Sequence, residues 1–383
     1  MLTAYNADQK TNPFNIYKQI LADGSISFSA GFPHYPRNFS RDTIKAGIIA
    51  SNIELLVSQL EISARHQGTR YDPFTGERPG RIHHEYPGVC LKDKDKYSTY
   101  NACDTTALFL IAIEMLHYLN KDCAQSFITK RKDNIVRAVN HILANIEDDL
   151  FWEYAPKDNE NYALQVTYWK DSILPHKKGK TQPDYPIVFS QVHFIAARSL
   201  PSASKILNNP SLAKQADQMF KVGINEFIKQ NGYIIYRDKT EELVQISSDE
   251  LHSLAYIPRS YSNLLPLENI KGRSKDLKTP FGFMCTPPDI ARVLADQYHG
   301  DKVWIFEQAM IHYGTTKFGL YEEALVASSV TSHIGKGQEL LAVGHDKNGN
   351  IIPLAEGNDR QLWSVAAKQY FKGQSAILNA NRL

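Results

Sequence analysis

From Thr105 to Leu119 the chain reads TTALFLIAIEMLHYL, apolar on nearly every side, which predicts a helix buried all round with Asp104 at its N-cap. Between Asp133 and Ile146 the pattern is different. Ile135, Val136, Val139, Ile142, Leu143 and Ile146 repeat at close to 3.6 residues and form a one-sided stripe, as expected of a half-exposed helix. Further helices are predicted over roughly 42–66, 188–199, 211–229, 287–297, 302–314, 319–331 and 360–371. Strand signals are few, the best being Gly232-Tyr233-Ile234-Ile235-Tyr236. Fully buried helices alternating with half-exposed ones imply concentric helical layers. The segments between them, 67–103, 149–187, 230–286 and 332–359, are long and rich in Pro, Gly, His and Tyr. Such loops in a compact domain usually carry function. With no linker, low-complexity tract or strict repeat, residues 1–383 read as one domain.

Composition narrows the function classes. The 43 basic and 41 acidic residues leave a net charge of +2, which gives no pull toward nucleic acid, and the small run Lys177-Lys178-Gly179-Lys180 reads as a solvated loop. No stretch is long and apolar enough to span a membrane. The start, Met1-Leu2-Thr3-Ala4-Tyr5-Asn6, lacks a basic region followed by an apolar one, so a cytoplasmic protein without a signal peptide is expected. Cys90, Cys103, Cys123 and Cys285 are scattered, with neither zinc spacing nor a disulfide framework. His83-His84-Glu85 places its ligands adjacent rather than four apart on a helix, which argues against a metal site. No phosphate loop, nucleotide fingerprint or Ser-His-Asp ordering occurs, so no cofactor is expected. Nothing fixes an oligomeric state.

Two carboxylates stand out because aromatic and polar residues surround them. Asp171 lies in Thr167-Tyr168-Trp169-Lys170-Asp171-Ser172, and Glu339 in Gly337-Gln338-Glu339-Leu340, with Gln361-Leu362-Trp363-Ser364 following. Cleavage of a glycosidic bond needs such a pair, one carboxyl protonated to donate to the leaving oxygen and one ionised. Aromatic faces offer platforms for a sugar ring, and aromatic residues make up 11% of this chain, which suits a sugar-lined cleft. The plain alternatives are a capping carboxylate for Asp171 and a surface residue for Glu339, with Glu356 and Glu307 as rival bases.

Read in order, the loop motifs resemble the glucosidase domain of glycogen debranching enzymes and, more distantly, neutral invertases, trehalases and glucoamylases. The residues that carry this are Gly31-Phe32-Pro33-His34 with Ser40-Arg41-Asp42-Thr43, Tyr100 to Phe109, Thr167 to Ser172, Thr279-Pro280-Phe281-Gly282, Tyr298-His299-Gly300-Asp301-Lys302-Val303-Trp304, and Gln338-Glu339-Leu340 with Gln361-Leu362-Trp363-Ser364. The resemblance implies an all-α (α/α)6 toroid of about six helical hairpins with minor β structure. It also implies inverting, exo-acting hydrolysis of an α-glucoside such as the end of a glycogen, limit-dextrin or maltodextrin chain. Asp171 would be the acid and Glu339 the base. The sugar would meet Arg41, Asp42, His84, Glu85, Asp104, Trp169, His299, Trp304, Glu307, Gln361 and Trp363. On the bland side, Arg41 and Asp42 read as an ion pair at a helix start, Asp104 as an N-cap, and Trp363 as core.

The chain departs from the resemblance at three places. Gln182-Pro183-Asp184-Tyr185-Pro186-Ile187-Val188-Phe189 lacks a glutamate found there in debranching enzymes, Lys170 replaces an apolar Met, and Gln338 replaces a Pro. The first favours a second reading, hydrolysis of a small disaccharide or glucosylated metabolite. A carbohydrate-binding protein without turnover is a third, and intact acids at both positions argue against it. An epimerase on a similar barrel would need histidines as acid and base, and none falls within the motif order.

Overall fold

The computed structural model describes residues 12–374, apart from residues 22, 92–95, 157–161, 165, 173–183 and 295–297. The start of the chain, the basic run at 177–180 and residues 182–183 therefore lie outside the described residues.

Helix α1 (Ser40–Ile49) and α2 (Ile53–Arg65) divide the span predicted as one helix. Ser51 takes a left-handed φ of 51° and ends the first. Asn52 starts the second by accepting from the Leu55 N–H at 2.9 Å. Helix α3 (Thr105–Leu119) is buried continuously from Thr105 to Ile113, as its all-round apolarity predicts. Helix α4 (Lys121–Lys130) buries only Ala124 and Phe127, too few apolar positions to show as a stripe. In α5 (Lys132–Leu143), Ile135, Ala138, Val139 and Ile142 face the core, while Val136 and Leu143 stay exposed at the edge of the stripe.

Helix α6 (Ser190–Leu207) runs well beyond its predicted end at 199 and carries Pro201 inside it. Proline removes one backbone hydrogen bond and normally breaks or kinks a helix. Here tertiary contacts hold the far half: Leu200 and Ala203 are fully buried, and Glu114 of α3 accepts from Arg198 at 2.7 Å and Ser202 at 2.6 Å. The remaining helices are α7 (Pro210–Phe227), α8 (Asp249–Ser253), α9 (Leu267–Ser274), α10 (Pro288–Leu294), α11 (Ile305–Lys317), α12 (Tyr321–Ser328) and α13 (Leu362–Gln369).

Helix α1 packs on α3, α3 on α6, α6 on α8, α8 on α11, and α11 on α13, and α13 returns to α1. This is a closed inner ring. Around it α2 covers α1 and α3, α5 covers α3, α7 covers α6, α9 covers α8 and α12 covers α11. The two layers make an α/α toroid. Small residues let the helices approach: a Cβ on Gly314 of α11 would come within 2.7 Å of the Ala255 backbone nitrogen, so this contact admits glycine alone. Burial of each large apolar side chain in the shared core contributes roughly 1.5–3 kcal/mol.

Short strands lead into four inner helices: Asn38–Phe39 into α1, Ile187–Phe189 into α6, Lys302–Trp304 into α11 and Arg360–Gln361 into α13. They pair antiparallel with Glu85–Tyr86, Gly232–Asp238, Leu340–His345 and Gly31–Phe32 respectively. Leu340–His345 also pairs with Ile351–Glu356, a hairpin inside the span read as loop. Pro353 hid that strand from the pattern, but it lies on the edge, where no further ladder bond is needed. Segment 230–286 likewise holds α8, α9 and two β pairings rather than loop alone. Among the described residues no helix is long and apolar enough to cross a membrane.

Candidate active site

The N-terminal ends of the inner helices meet side by side and carry half of the predicted polar residues. Arg41 and Asp42 begin α1, Asp104 precedes α3, Glu307 lies in the first turn of α11 and Gln361 precedes α13. Helix N-termini present partial positive charge and unpaired N–H groups, so carboxylates gather there at reduced cost.

Asp104 sits at the N-cap of α3 but does not cap it. Its Oδ2 accepts instead from Arg41 Nε at 2.7 Å, with the two side chains 1% and 3% exposed. Arg41 also donates to the Thr167 carbonyl at 3.0 Å, which ties it to the segment that bears Asp171. Burial works against the Arg41 charge, but Asp104 outweighs it and keeps the guanidinium protonated. Asp42 does not pair with Arg41 as a neighbouring ion pair. Its Oδ1 accepts from Gln361 Nε2 at 3.1 Å, and Gln361 Oε1 accepts from the Asn358 side chain at 2.8 Å. Burial pushes the Asp42 carboxyl up to about 8, Arg41 pulls it down, and Glu339 and Asp171 push it up further.

Glu339 is 2% exposed and held at both oxygens. Tyr298 donates to Oε1 at 2.8 Å and the Asn358 N–H to Oε2 at 2.9 Å, and Tyr35 lies 3.2 Å from Tyr298, hydroxyl to hydroxyl. Burial raises its pKa, while these two donors and His34 oppose the rise by favouring the anion. Asp171, in contrast, is only half-buried. Its pKa is raised to about 7 by burial and by the Glu339 and Asp104 carboxylates, against the pull of Arg41. The two acids thus share one electrostatic field, one with dedicated donors to its anion and the other biased toward its proton. Burial also pushes the Tyr35 hydroxyl up to about 12, with Glu339, Asp171 and Asp42 adding to the rise.

The aromatic residues form the floor. Trp169 and Trp304 are 2% and 1% exposed and pack edge-to-face with centroids 5.7 Å apart. Neither presents an open face as a sugar platform. Trp363 stacks on Phe306 at 3.8 Å. His299 stacks on Trp304 at 4.8 Å and shares a 2.7 Å hydrogen bond with Ser172 Oγ, beside Asp171. His84 lies against Phe39, and burial followed by the Arg41 charge holds its pKa well below the usual range, so it is neutral. Glu85 is engaged elsewhere, paired with Arg37 and bonded to Ser98. Glu307 is fully buried beneath the floor, accepting from Ser248 at 2.8 Å, with His252 Nδ1 at 3.3 Å. Glu356, the rival base, is exposed on the edge strand and paired with Lys302 at 3.1 Å.

Several residues of this constellation escaped sequence reading. Tyr298 lies inside the Tyr298 to Trp304 motif, which by itself assigns it no role. Tyr35 and Asn358 carry no pattern of their own, and Asp249 reads as an ordinary helix-start carboxylate. Lys45, four residues after Arg41, is buried with its ammonium 5.0 Å from the centre of the Phe306 ring, and burial lowers its pKa to about 8. Among the described residues no group of three or more His, Cys, Asp or Glu side chains is placed to hold a metal ion.

Fold and site together define an α/α-toroid protein with a polar, carboxylate-rich centre at the N-terminal ends of its inner helices. No protein-family model and no curated relative matches the chain. Solved structures do. The GH63 mannosylglycerate hydrolase from Thermus thermophilus in complex with glucose superposes with a TM-score of 0.61 at 12% identity, covering 90% of this chain and 95% of that one. The same enzyme with Tris and D-glycerate gives 0.59 at 12% identity, over 90% and 96% of the two chains. An uncharacterized conserved protein from the same organism gives 0.62 at 12% identity, over 90% and 95%. At this identity the likeness establishes the architecture alone, an α/α toroid.

Proposed function

We propose that this protein is an inverting, exo-acting glycoside hydrolase on a single six-hairpin domain, with Asp171 as general acid and Glu339 as general base. The observation that carries the reading is the contrast between two coupled carboxyls. Burial raises both pKa values, that of Asp171 to about 7, and on Glu339 two hydrogen-bond donors oppose the rise by favouring the anion. A group that titrates near neutrality can deliver a proton to the glycosidic oxygen as the C–O bond breaks. Glu339 takes a proton from a water that attacks the anomeric carbon from the opposite face, leaving the acid deprotonated and the base protonated until solvent resets both. The reading expects the two carboxyls to stand about 6.5–9.5 Å apart, with that water between them.

Arg41, Asp42, Asp104 and Gln361 would receive the hydroxyls of the terminal sugar. Asp104 Oδ1 is buried with no hydrogen-bond partner among the described residues, an acceptor suited to a sugar hydroxyl. Trp169, Trp304 and Trp363 would back this subsite from below, and His84 and His299 would flank it. The substrate is an α-glucoside, with a glycogen or maltodextrin chain end as the first reading. A small glycosylated metabolite is the second, favoured by the match over nine-tenths of the chain to an enzyme named mannosylglycerate hydrolase.

The test is proton NMR on a panel of maltodextrins, limit dextrin, small α-glucosides and glycosylated hydroxy acids, following the first-formed anomer. Release of one monosaccharide per event as the β-anomer supports the reading. An α-anomer first overturns inversion, and internal oligosaccharides overturn exo action. Binding without turnover of any member identifies a carbohydrate-binding protein instead.

A further inference from the structure

Lys170 immediately precedes the acid, and its side chain has no part in the proton transfers just described. It points the other way. Lys170 Nζ lies 3.2 Å from Asp249 Oδ2 at the start of α8, and donates to Ser247 Oγ at 3.0 Å and Ser248 Oγ at 2.9 Å. The two preceding side chains end on the same carboxylate, the Tyr168 hydroxyl and Trp169 Nε1 each donating at 3.3 Å. Three consecutive residues are therefore tied to one carboxylate. At the other end of the segment the Thr167 carbonyl accepts from Arg41 and from the Cys103 N–H, both at 3.0 Å. Asp249 is steadied in turn by Ser247 at 2.9 Å and Gln191 at 3.4 Å.

The Lys170 and Asp249 side chains are 6% and 1% exposed. A buried ion pair seldom stabilises a fold more than apolar residues of the same volume, and its best-attested use is to fix geometry. Fixed geometry is what the next residue requires. Exposure begins at Asp171, whose backbone continues directly from the tethered segment. The charges that act most on Asp171 are Arg41, Glu339 and Asp104, so Lys170 works on the acid through the backbone rather than through its proton affinity.

We propose that the Lys170–Asp249 pair is a positioning device for the general acid, locking segment 167–170 so that the Asp171 carboxyl meets the glycosidic oxygen. Lys170 and Asp249 are positioning residues, and the inference rests on the acid role given to Asp171 above. A displacement of about 1 Å at a reacting group costs on the order of 10²-fold in rate. Loss of acid help is felt only where the leaving group needs a proton.

The experiment compares Lys170→Met with wild type on two substrates: an O-glycoside that the wild-type chain hydrolyses, and the glycosyl fluoride of the same sugar, whose leaving group departs with little proton help. The expected result is a kcat on the O-glycoside lower by about 10–100-fold. The glycosyl fluoride should lose less than about threefold, and the dissociation constant for the free sugar should stay within about twofold of wild type. Equal loss on both substrates means a merely structural role and overturns the proposal, as does no loss on either. Asp171→Asn run alongside separates the two levels of the argument. If it shows the leaving-group split and Lys170→Met does not, positioning fails while the acid assignment stands; if Asp171→Asn shows no split, the acid assignment itself fails. Should Lys170→Met not fold, Lys170→Met/Asp249→Asn removes both charges together and carries the same comparison.

Discussion

Tyr298→Phe removes one of the two hydrogen-bond donors to the base, together with the 3.2 Å contact between the Tyr298 and Tyr35 hydroxyls. The phenol donates to Glu339 Oε1 at 2.8 Å, while the Asn358 N–H holds Oε2 and is untouched by the change. The variant keeps the ring that packs against Trp304 at 4.9 Å and His299 at 4.8 Å, so the floor is preserved. Burial, with Glu339 adding to it, raises the Tyr298 pKa far above its ordinary value, and the hydroxyl stays a neutral donor at every working pH. A hydrogen bond to an ionised group contributes roughly 1.5–3 kcal/mol, and one pKa unit corresponds to about 1.4 kcal/mol. Removing a donor from the anion disfavours the anion, so the Glu339 pKa should rise by about one to two units. A base must be ionised in the free enzyme, and the acidic limb of the pH dependence of kcat/KM should move up by that amount. The assay is kcat/KM against pH for both proteins on a substrate from the NMR panel. An acidic limb that stays in place, or a shift of the alkaline limb instead, would refute Glu339 as the group that titrates there.

Three further outcomes follow from the same geometry. Arg41→Ala strands the buried Asp104 carboxylate, at a cost to stability of about 3–5 kcal/mol in thermal or urea unfolding. The double variant Arg41→Ala/Asp104→Asn should recover most of that stability but none of the sugar affinity, and recovery of both would remove Arg41 from the subsite. Asp171→Asn bears on stability against pH: the folded protein holds a proton here up to about pH 7, whereas the ordinary value is 3.8. The wild type therefore loses stability as pH rises through that window, and the variant should gain about 1–3 kcal/mol over it at pH 8 and nothing at pH 4 in chemical denaturation. A gain that is equal at both pH values would contradict a raised pKa. Glu356→Gln breaks only an exposed pair with Lys302, so activity within about twofold of wild type is expected, and a collapse of turnover would transfer the base role from Glu339.

Local pattern carried the helices that pack in a uniform environment. The apolar run from Thr105 to Leu119 announces an inner helix because no face of it is polar enough to meet water. The stripe in α5 announces an outer one. Pattern misled where the deciding contact was distant. The helix predicted over 188–199 ends before Pro201, but Glu114 on another helix holds the far half of α6 in place. The edge strand Ile351–Glu356 is one only because Leu340–His345 lies beside it.

The site divides in the same way. The sequence by itself determined which residue types were present and in what order: the surroundings of Asp171 and Glu339 marked them as candidates, and the resemblance of the ordered motifs to a known family added Arg41, Asp42, Asp104 and Gln361. Only tertiary structure decided their partners, because burial, charge coupling and hydrogen bonds depend on distances through space between residues far apart in the chain. It joined Arg41 to Asp104 rather than to its neighbour Asp42, set Tyr298 and Asn358 on the two oxygens of Glu339, and turned Glu85 and Glu307 to contacts of their own. It also buried Trp169 and Trp304 beneath the centre, since the inner helices close into a ring whose interior large rings fill.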